Sequence, residues 1–382
     1  MATTAGLSLQ PATGRMLVNR IVKSFAALVV AVACVSVLGC RAGIQSAPLT
    51  TATPLRTIIF GSCASQDRPQ PFWDAMIAQN PQLFLFIGDN IYADTEDMTV
   101  MRAKYAQLGA QPGYQQLRAH TPVLATWDDH DYGVNDGGGE YLMRAESQRA
   151  FMDFYDVPGS SPMRSRPGVY AAYVFGPKGQ RVQVILLDTR YFRGPLARRP
   201  EGARYDFPGH YVPSTDTNSS MLGAAQWTWL ETQLRQPAEV RLLVSSIQVI
   251  AEDHGWEKWA NLPHERTRLL KLLKKTGAEG VVILSGDRHL AELSRLDGDA
   301  ANGIGYPLYD LTSSGLNRGG GGSPNEPNRH RIGRNFRRNN FGKITIDWAA
   351  DDPVITLQVL DDTGVSVFRY DFRLSDLRHP RT

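Results

Sequence analysis

From Arg56 to Leu296, short apolar runs alternate with polar clusters and with segments of helical period. Thr57–Phe60, Leu83–Ile87, Val123–Trp127, Leu242–Ser246 and Val281–Ser285 are apolar runs of four or five residues. Such runs read as strands covered on both faces. Phe72–Gln79, Glu140–Tyr155, Gln226–Leu234 and His264–Lys275 place apolar residues at helical spacing. Asn80-Pro81 closes the first of these, because the residue before proline is pushed out of the helical region. Val169–Phe175 and Arg181–Leu187, joined by Gly176-Pro177-Lys178-Gly179, read as paired strands. Strands alternating with helices predict an α/β fold.

The pattern changes near the C-terminus. Lys343–Trp348, Val354–Leu360 and Val365–Phe372 alternate apolar and polar residues and are separated by Asp351-Asp352-Pro353 and Asp361–Gly364. They predict an antiparallel meander. Before them, residues 312–341 hold four consecutive glycines and six arginines: Arg318, Arg329, Arg331, Arg334, Arg337 and Arg338. That composition predicts a mobile Gly/Arg-rich loop with no packed element, open to an extended polyanion such as a phospholipid-derived substrate.

The N-terminus reads as an address. Ser24–Gly39 is uncharged and apolar and follows Arg20 and Lys23, the layout of a secretory signal. The run is shorter than the ~20 residues of a spanning helix. It ends Val37-Leu38-Gly39-Cys40, which resembles a bacterial lipobox. The expectation is a signal over 1–40, with the start at Met1 or Met16, lipid on Cys40, and a membrane-anchored product that is periplasmic or at the cell surface; the alternative is a soluble secreted protein. A polar tether over 41–54 and one domain over 55–375 follow. No obligate protein partner is expected.

Composition narrows the function classes. Forty-one basic and 38 acidic residues leave a net charge of +3, too weak an excess for specific nucleic-acid recognition to be expected. A 42% hydrophobic content excludes a disordered chain. Three cysteines exclude a disulfide scaffold. Once a signal is removed and Cys40 acylated, Cys63 is the one free thiol, a liability in an oxidising compartment unless buried or bound.

The chemistry sits after the strands. The runs lead into Gly61-Ser62-Cys63, Gly88-Asp89-Asn90-Ile91-Tyr92, Asp128-Asp129-His130-Asp131, Asp188-Thr189-Arg190 and Gly286-Asp287-Arg288-His289. Ligand sites in α/β sheets form at the carboxyl ends of strands, so these clusters are expected on one rim. An aspartate after a strand is by itself an ordinary turn former or helix cap. Asp89, Asp128, Asp129, Asp131 and Asp287 gathered together would repel one another unless multivalent cations lay among them. Thiolate, phenol and imidazole suit a transition metal; the acid-rich flank suits a second, harder ion. A bridging carboxylate could hold the two close together and activate a water.

These motifs resemble the PhoD-like alkaline phosphatase and phosphodiesterase family, within the calcineurin-like metallophosphoesterases. The resemblance rests on FGSC (60–63), GDNIYAD (88–94), WDDHDYG (127–133), LDTR (187–190) and SGDRH (285–289), with softer matches LTSSGL (311–316) and NNFG (339–342). It implies a sandwich of two packed mixed sheets flanked by helices, ending in the antiparallel meander. It implies an exported phosphoesterase that hydrolyses phosphate monoesters, diesters or both through a metal-activated hydroxide at a bimetallic site. By the same resemblance Cys63, Asp89, Tyr92 and His289 would hold ferric iron (Fe3+). Asp89 would bridge to calcium (Ca2+), completed by Asp129 and Asp287. His130 would serve the leaving oxygen, and Arg190 and Arg288 would clamp the phosphate. Asp128 would shape the turn; Asn135 and Gln248 are weaker site candidates. The rival readings are a non-catalytic surface lipoprotein that keeps the fold for binding, and a zinc amidase, for which no HExxH is present.

Overall fold

Leu83–Ile87 (β2) is buried at all five positions, so both faces of the strand need cover. Trp73 of α1 (Phe72–Ile77) supplies one cover, meeting Phe84 and Phe86 edge-on at ring-centroid distances of 5.9 and 6.3 Å. Tyr114 of α3 (Pro112–His120) packs on the same indole at 5.1 Å. Between these helices lies α2 (Met98–Gly109), whose first turn is capped by Asp97 accepting from Thr99 N at 2.7 Å. Burying each such large apolar side chain contributes roughly 1.5–3 kcal/mol.

The computed structural model describes residues 50–380. The expected signal, Cys40 and most of the tether lie outside the described residues. Among those described, no helix is long and apolar enough to cross a membrane.

Two mixed sheets carry the fold. The first has the order β13-β12-β11-β1-β2-β3, with β1 spanning Thr57–Gly61, β3 Val123–Thr126, β11 Asn340–Asp347, β12 Val354–Asp361 and β13 Ser366–Arg373. Strands β1 to β3 are parallel, and the expected meander attaches through β11, antiparallel to β1. The second has the order β10-β8-β9-β7-β6-β5-β4. Its strands are β4 (Ala171–Phe175), β5 (Val182–Leu186), β6 (Val240–Val244), β7 (Val281–Ser285), β8 (Ala291–Leu296), β9 (Leu308–Ser313) and β10 (Arg331–Phe336). Strands β5, β6, β7 and β9 are parallel neighbours. The sheets are tied at the rim by Thr126 Oγ1 donating to Leu187 O at 2.8 Å and Ser313 Oγ donating to Asn340 Oδ1 at 2.8 Å. Helices α5 (Arg144–Phe154), α6 (Gly223–Leu234) and α7 (Pro263–Thr276) add to the cover. The sandwich with its closing meander is thus the observed architecture.

The stretch 312–341 differs from the expectation of a loop without packed structure. Its residues 331–336 form edge strand β10, antiparallel to β8, with Ile332 and Phe336 against the core. The glycine run serves close approach: Gly321 N donates to His289 O at 3.0 Å, and a Cβ at Gly321 would lie 2.5 Å from His289 Cβ. Several of the arginines are also engaged. Arg329 pairs with Asp253, Arg331 with Glu292 at 2.5 Å, and Arg337 Nε donates to Gly321 O at 2.9 Å.

Candidate metal centre

The carboxyl ends of β1, β2 and β3 in one sheet and of β7 in the other deliver the expected ligand types to one place. At each the chain must turn sharply. Cys63, Asp89, Asp287 and His289 all have positive φ, at 61, 47, 67 and 54°. This left-handed conformation costs a non-glycine residue on the order of 1–3 kcal/mol. Four of the eight non-glycine residues with positive φ among the described residues are thus expected ligands gathered on this rim. The turn is possible because Gly88 precedes Asp89. Gly88 has φ +117°, and a Cβ there would meet Asp128 Cβ at 2.6 Å.

Cys63 Sγ lies 3.4 Å from Asp89 Oδ2, and Tyr92 OH lies 3.1 Å from the same oxygen and 3.0 Å from His289 Nε2. Ligand atoms of Cys63, Asp89 and His289 fall within 4.8 Å of one another, as do those of Asp89, Asp129 and His130, and of Asp128, Asp129 and Asp287. Asp89 links the thiol-bearing group to the acidic ones, and Asp129 is shared between the two acidic groups. The four metal candidates Cys63, Asp89, Tyr92 and His289 are brought together, and Asp129 and Asp287 join the adjacent group.

The charges show why cations suit this geometry. Burial, with the Cys63 charge next, holds the Asp89 carboxyl well above the usual range. Burial and the Asp128 charge do the same to Asp287. Burial pushes the Cys63 thiol up to about 11 and raises the Tyr92 phenol. A cation among these groups would reverse each shift and leave them as anionic donors. Asp128 Oδ2 is also buried without a hydrogen-bond partner. Mixed thiol, phenol, imidazole and carboxylate donors converging in one buried volume fit a pair of cations.

Other expected residues fall in different roles. Asp128 occupies the position before α4 (Asp129–Tyr132); Asp131 accepts from Asp128 N at 2.7 Å and from Asn90 Nδ2 at 2.7 Å, which turns it away from the ligand cluster. Arg190 corrects the expectation of a phosphate clamp. It is fully buried, donates through Nε to Asp128 Oδ1 at 2.6 Å and lies 2.7 Å from Glu257, so no donor faces solvent. Gln248 is likewise buried in a network with Glu292, Thr312 and His254. His130 Nδ1 contacts Asp94 Oδ1 at 2.6 Å, and its ring lies on Tyr92 at 4.2 Å. Burial would lower its pKa, but Asp129, Asp89 and Asp94 outweigh burial and push the imidazole up to about 11.

A cavity of about 310 Å³ opens beside the cluster, lined by Asp129, His130, Asn135, Asp287, Arg288 and His289 among others. Arg288 spends one nitrogen on both oxygens of Glu326, at 2.7 and 2.8 Å, while its Nε is buried without a partner. Asp136 and Glu257 also line this space and form a further acidic group with Asp129. Neither follows an apolar strand, so sequence pattern gives no sign of them beyond the neighbouring candidate Asn135. Ser314 is a further member that the strand pattern does not reveal. Its Oγ lies 3.0 Å from Cys63 Sγ and accepts from His289 N at 2.8 Å, coupling two ligands. The LTSSGL stretch held the only signal for it.

Comparison with known proteins shows the family to which the chain belongs. The profile of the PhoD-like phosphatase family matches residues 58–341. Alkaline phosphatase D of Bacillus subtilis (strain 168) is 24% identical over 291 residues, 64% of this chain and 48% of that protein. The chain therefore spans about half the length of that curated relative. A solved structure of PhoD superposes with TM-score 0.66 at 20% identity, covering 87% of this chain and 72% of that one. A dimetal phosphatase from Danio rerio matches at TM-score 0.47 and 13% identity, covering 84% of this chain and 99% of that one. A profile match over residues 58–341, most of the described fold, identifies the chain as a member of the PhoD-like phosphatase family.

Proposed function

We propose that this protein is a metal-dependent phosphoesterase that hydrolyses phosphate monoesters, diesters or both. The observation that carries the reading is the convergence of Cys63, Asp89, Tyr92, Asp129, Asp287 and His289 beside a cavity lined by His130 and Arg288. The softer donor set of Cys63, Tyr92 and His289 with Asp89 suits ferric iron. The all-oxygen set of Asp89, Asp129 and Asp287 suits calcium. Bound there, the cations would activate water and offset charge on the phosphate oxygens.

The chain's own residues orient and discharge the substrate. Arg288 lines the cavity wall, and its guanidinium, held on one side by Glu326, can hold a non-bridging phosphate oxygen there. Asp94 fixes the His130 ring through Nδ1, leaving Nε2 to donate a proton to the departing ester oxygen. Nothing in this scheme asks for a serine nucleophile or a phosphorylated protein. We place the enzyme outside the cytoplasm as a lipid-anchored protein, from the sequence of residues 24–40 alone.

The test pairs monoester and diester assays with elemental analysis of one preparation. Hydrolysis is expected to vanish when chelators strip the metal and to return on reloading. A fully loaded protein that turns over neither ester class would instead support a binding module. His130→Ala is expected to lower kcat by roughly 10²–10³-fold for esters of poor leaving groups. It should have little effect on nitrophenyl esters, whose leaving oxygen needs no proton. An equal loss for both would remove His130 from the acid role.

A further inference from the structure

Arg190 is sealed behind Asp128 and Glu257, so at least one arginine expected on the phosphate is not available to it. A different arginine is. Arg318 lies with its guanidinium carbon 4.4 Å from the centroid of the Tyr92 ring. The hydroxyl of that ring touches both Asp89 and His289. Arg318 is partly buried, and among the described residues no carboxylate pairs with it. Unlike Arg329 and Arg331 of the same segment, it therefore keeps its donors for another anion.

The backbone around Arg318 is fixed to the ligand loop itself. Leu316 N donates to Ser62 O at 3.0 Å and Asn317 N to Cys63 O at 3.4 Å. The Asn317 side chain accepts from Ser65 N at 2.7 Å and donates to Ser65 O at 2.8 Å. On the far side Gly319 N donates to Asn339 Oδ1 at 3.3 Å. A guanidinium stacked on a ligand's ring, with both flanks pinned, loses little further freedom on meeting its partner. A partly desolvated cation with no counter-ion beside clustered metal ligands calls for an anion at that spot.

We infer that Arg318 binds the non-bridging phosphate oxygens of the substrate, by forked hydrogen bonds given from its stack on Tyr92. This rests on the phosphoesterase reading and assigns it a substrate-contacting residue. The arginine-rich segment then divides in two: Arg318 faces the centre, and the engaged arginines hold the segment in place.

The experiment compares the metal-loaded parent with Arg318→Ala and Arg318→Lys. It measures metal content, calorimetric binding of inorganic phosphate, and kcat/KM on a phosphate ester. Metal content is expected to stay at the parental level in both variants. Phosphate affinity should fall at least ~10-fold in Arg318→Ala, and kcat/KM by about 10²-fold. Arg318→Lys should recover part of the loss, since it restores the charge but not the fork. Parental phosphate affinity in a metal-replete Arg318→Ala protein would overturn the inference, and so would loss of metal from both variants. If the parent binds phosphate through Arg318 yet hydrolyses no ester, the phosphoesterase reading fails and this assignment stands. If the parent hydrolyses esters and the variants match it, the reverse holds.

Discussion

Asp89→Asn is expected to lose most of the bound metal and to lower hydrolysis by on the order of 10³-fold or more. One Asp89 oxygen lies within reach of Cys63 and Tyr92, and the other accepts from His130 N at 3.3 Å. The carboxylate thus faces both halves of the centre, and an amide there removes the negative charge from both and leaves one oxygen, in place of two, to accept. Cation stabilisation of the reacting phosphate is worth several kcal/mol, and each ~1.36 kcal/mol is tenfold in rate. The structural cost should be small, because asparagine keeps the shape and loses the charge repulsion. Elemental analysis, a thermal melt and an ester assay on one sample check this. An active variant with full metal would show that Asp89 is not the bridge. Acid should mimic the substitution in the parent. Burial raises the Asp89 and Asp287 carboxyls, so protons compete with cations for these oxygens at a higher pH than at ordinary carboxylates. Metal should therefore be released as pH falls and taken up again as pH rises.

Much of this centre was legible in the sequence because it depends on topology. Leu83–Ile87 and Val281–Ser285 announce themselves as buried strands, and both match the observed bounds. Residues that follow parallel strands must then share a rim. Helices α2 and α3 and strands β8 and β9 were not anticipated. Glu292 and Ser294 within β8 break the expected apolar run, yet both are buried in tertiary hydrogen bonds. The glycine run misled for a related reason. Composition does not distinguish glycine chosen for freedom from glycine chosen for close approach, and only the contact of Gly321 with His289 decides between them. The arginines carried the same ambiguity. Arg190 and Arg318 are alike in sequence, and what separates them is the presence of Asp128 and Glu257 around one and their absence around the other.

That difference makes Arg190→Met the most destabilising substitution expected near the centre. The Arg190 side chain is 0% exposed, and its partners Asp128 and Glu257 are each 1% exposed. Methionine fills much of the volume but leaves two buried carboxylates without their counter-ion, and Arg193, 3.1 Å from Glu257, can answer only one of them. Breaking a buried pair from one side costs about 3–5 kcal/mol, because the orphaned charge cannot be rehydrated. The midpoint of urea unfolding should fall accordingly, with the slope unchanged. Arg190→Met combined with Glu257→Gln should be less destabilised than the single variant, since one of the stranded charges is gone. A residue that acted by holding phosphate would behave in the opposite way: KM for the ester would rise while the unfolding midpoint stayed put. A stability loss of less than about 1 kcal/mol with a raised KM would return Arg190 to the substrate. The expected result instead makes it the buried cation that keeps Asp128 ionised beneath Asp129, and so holds the turn from which the second group of ligands projects.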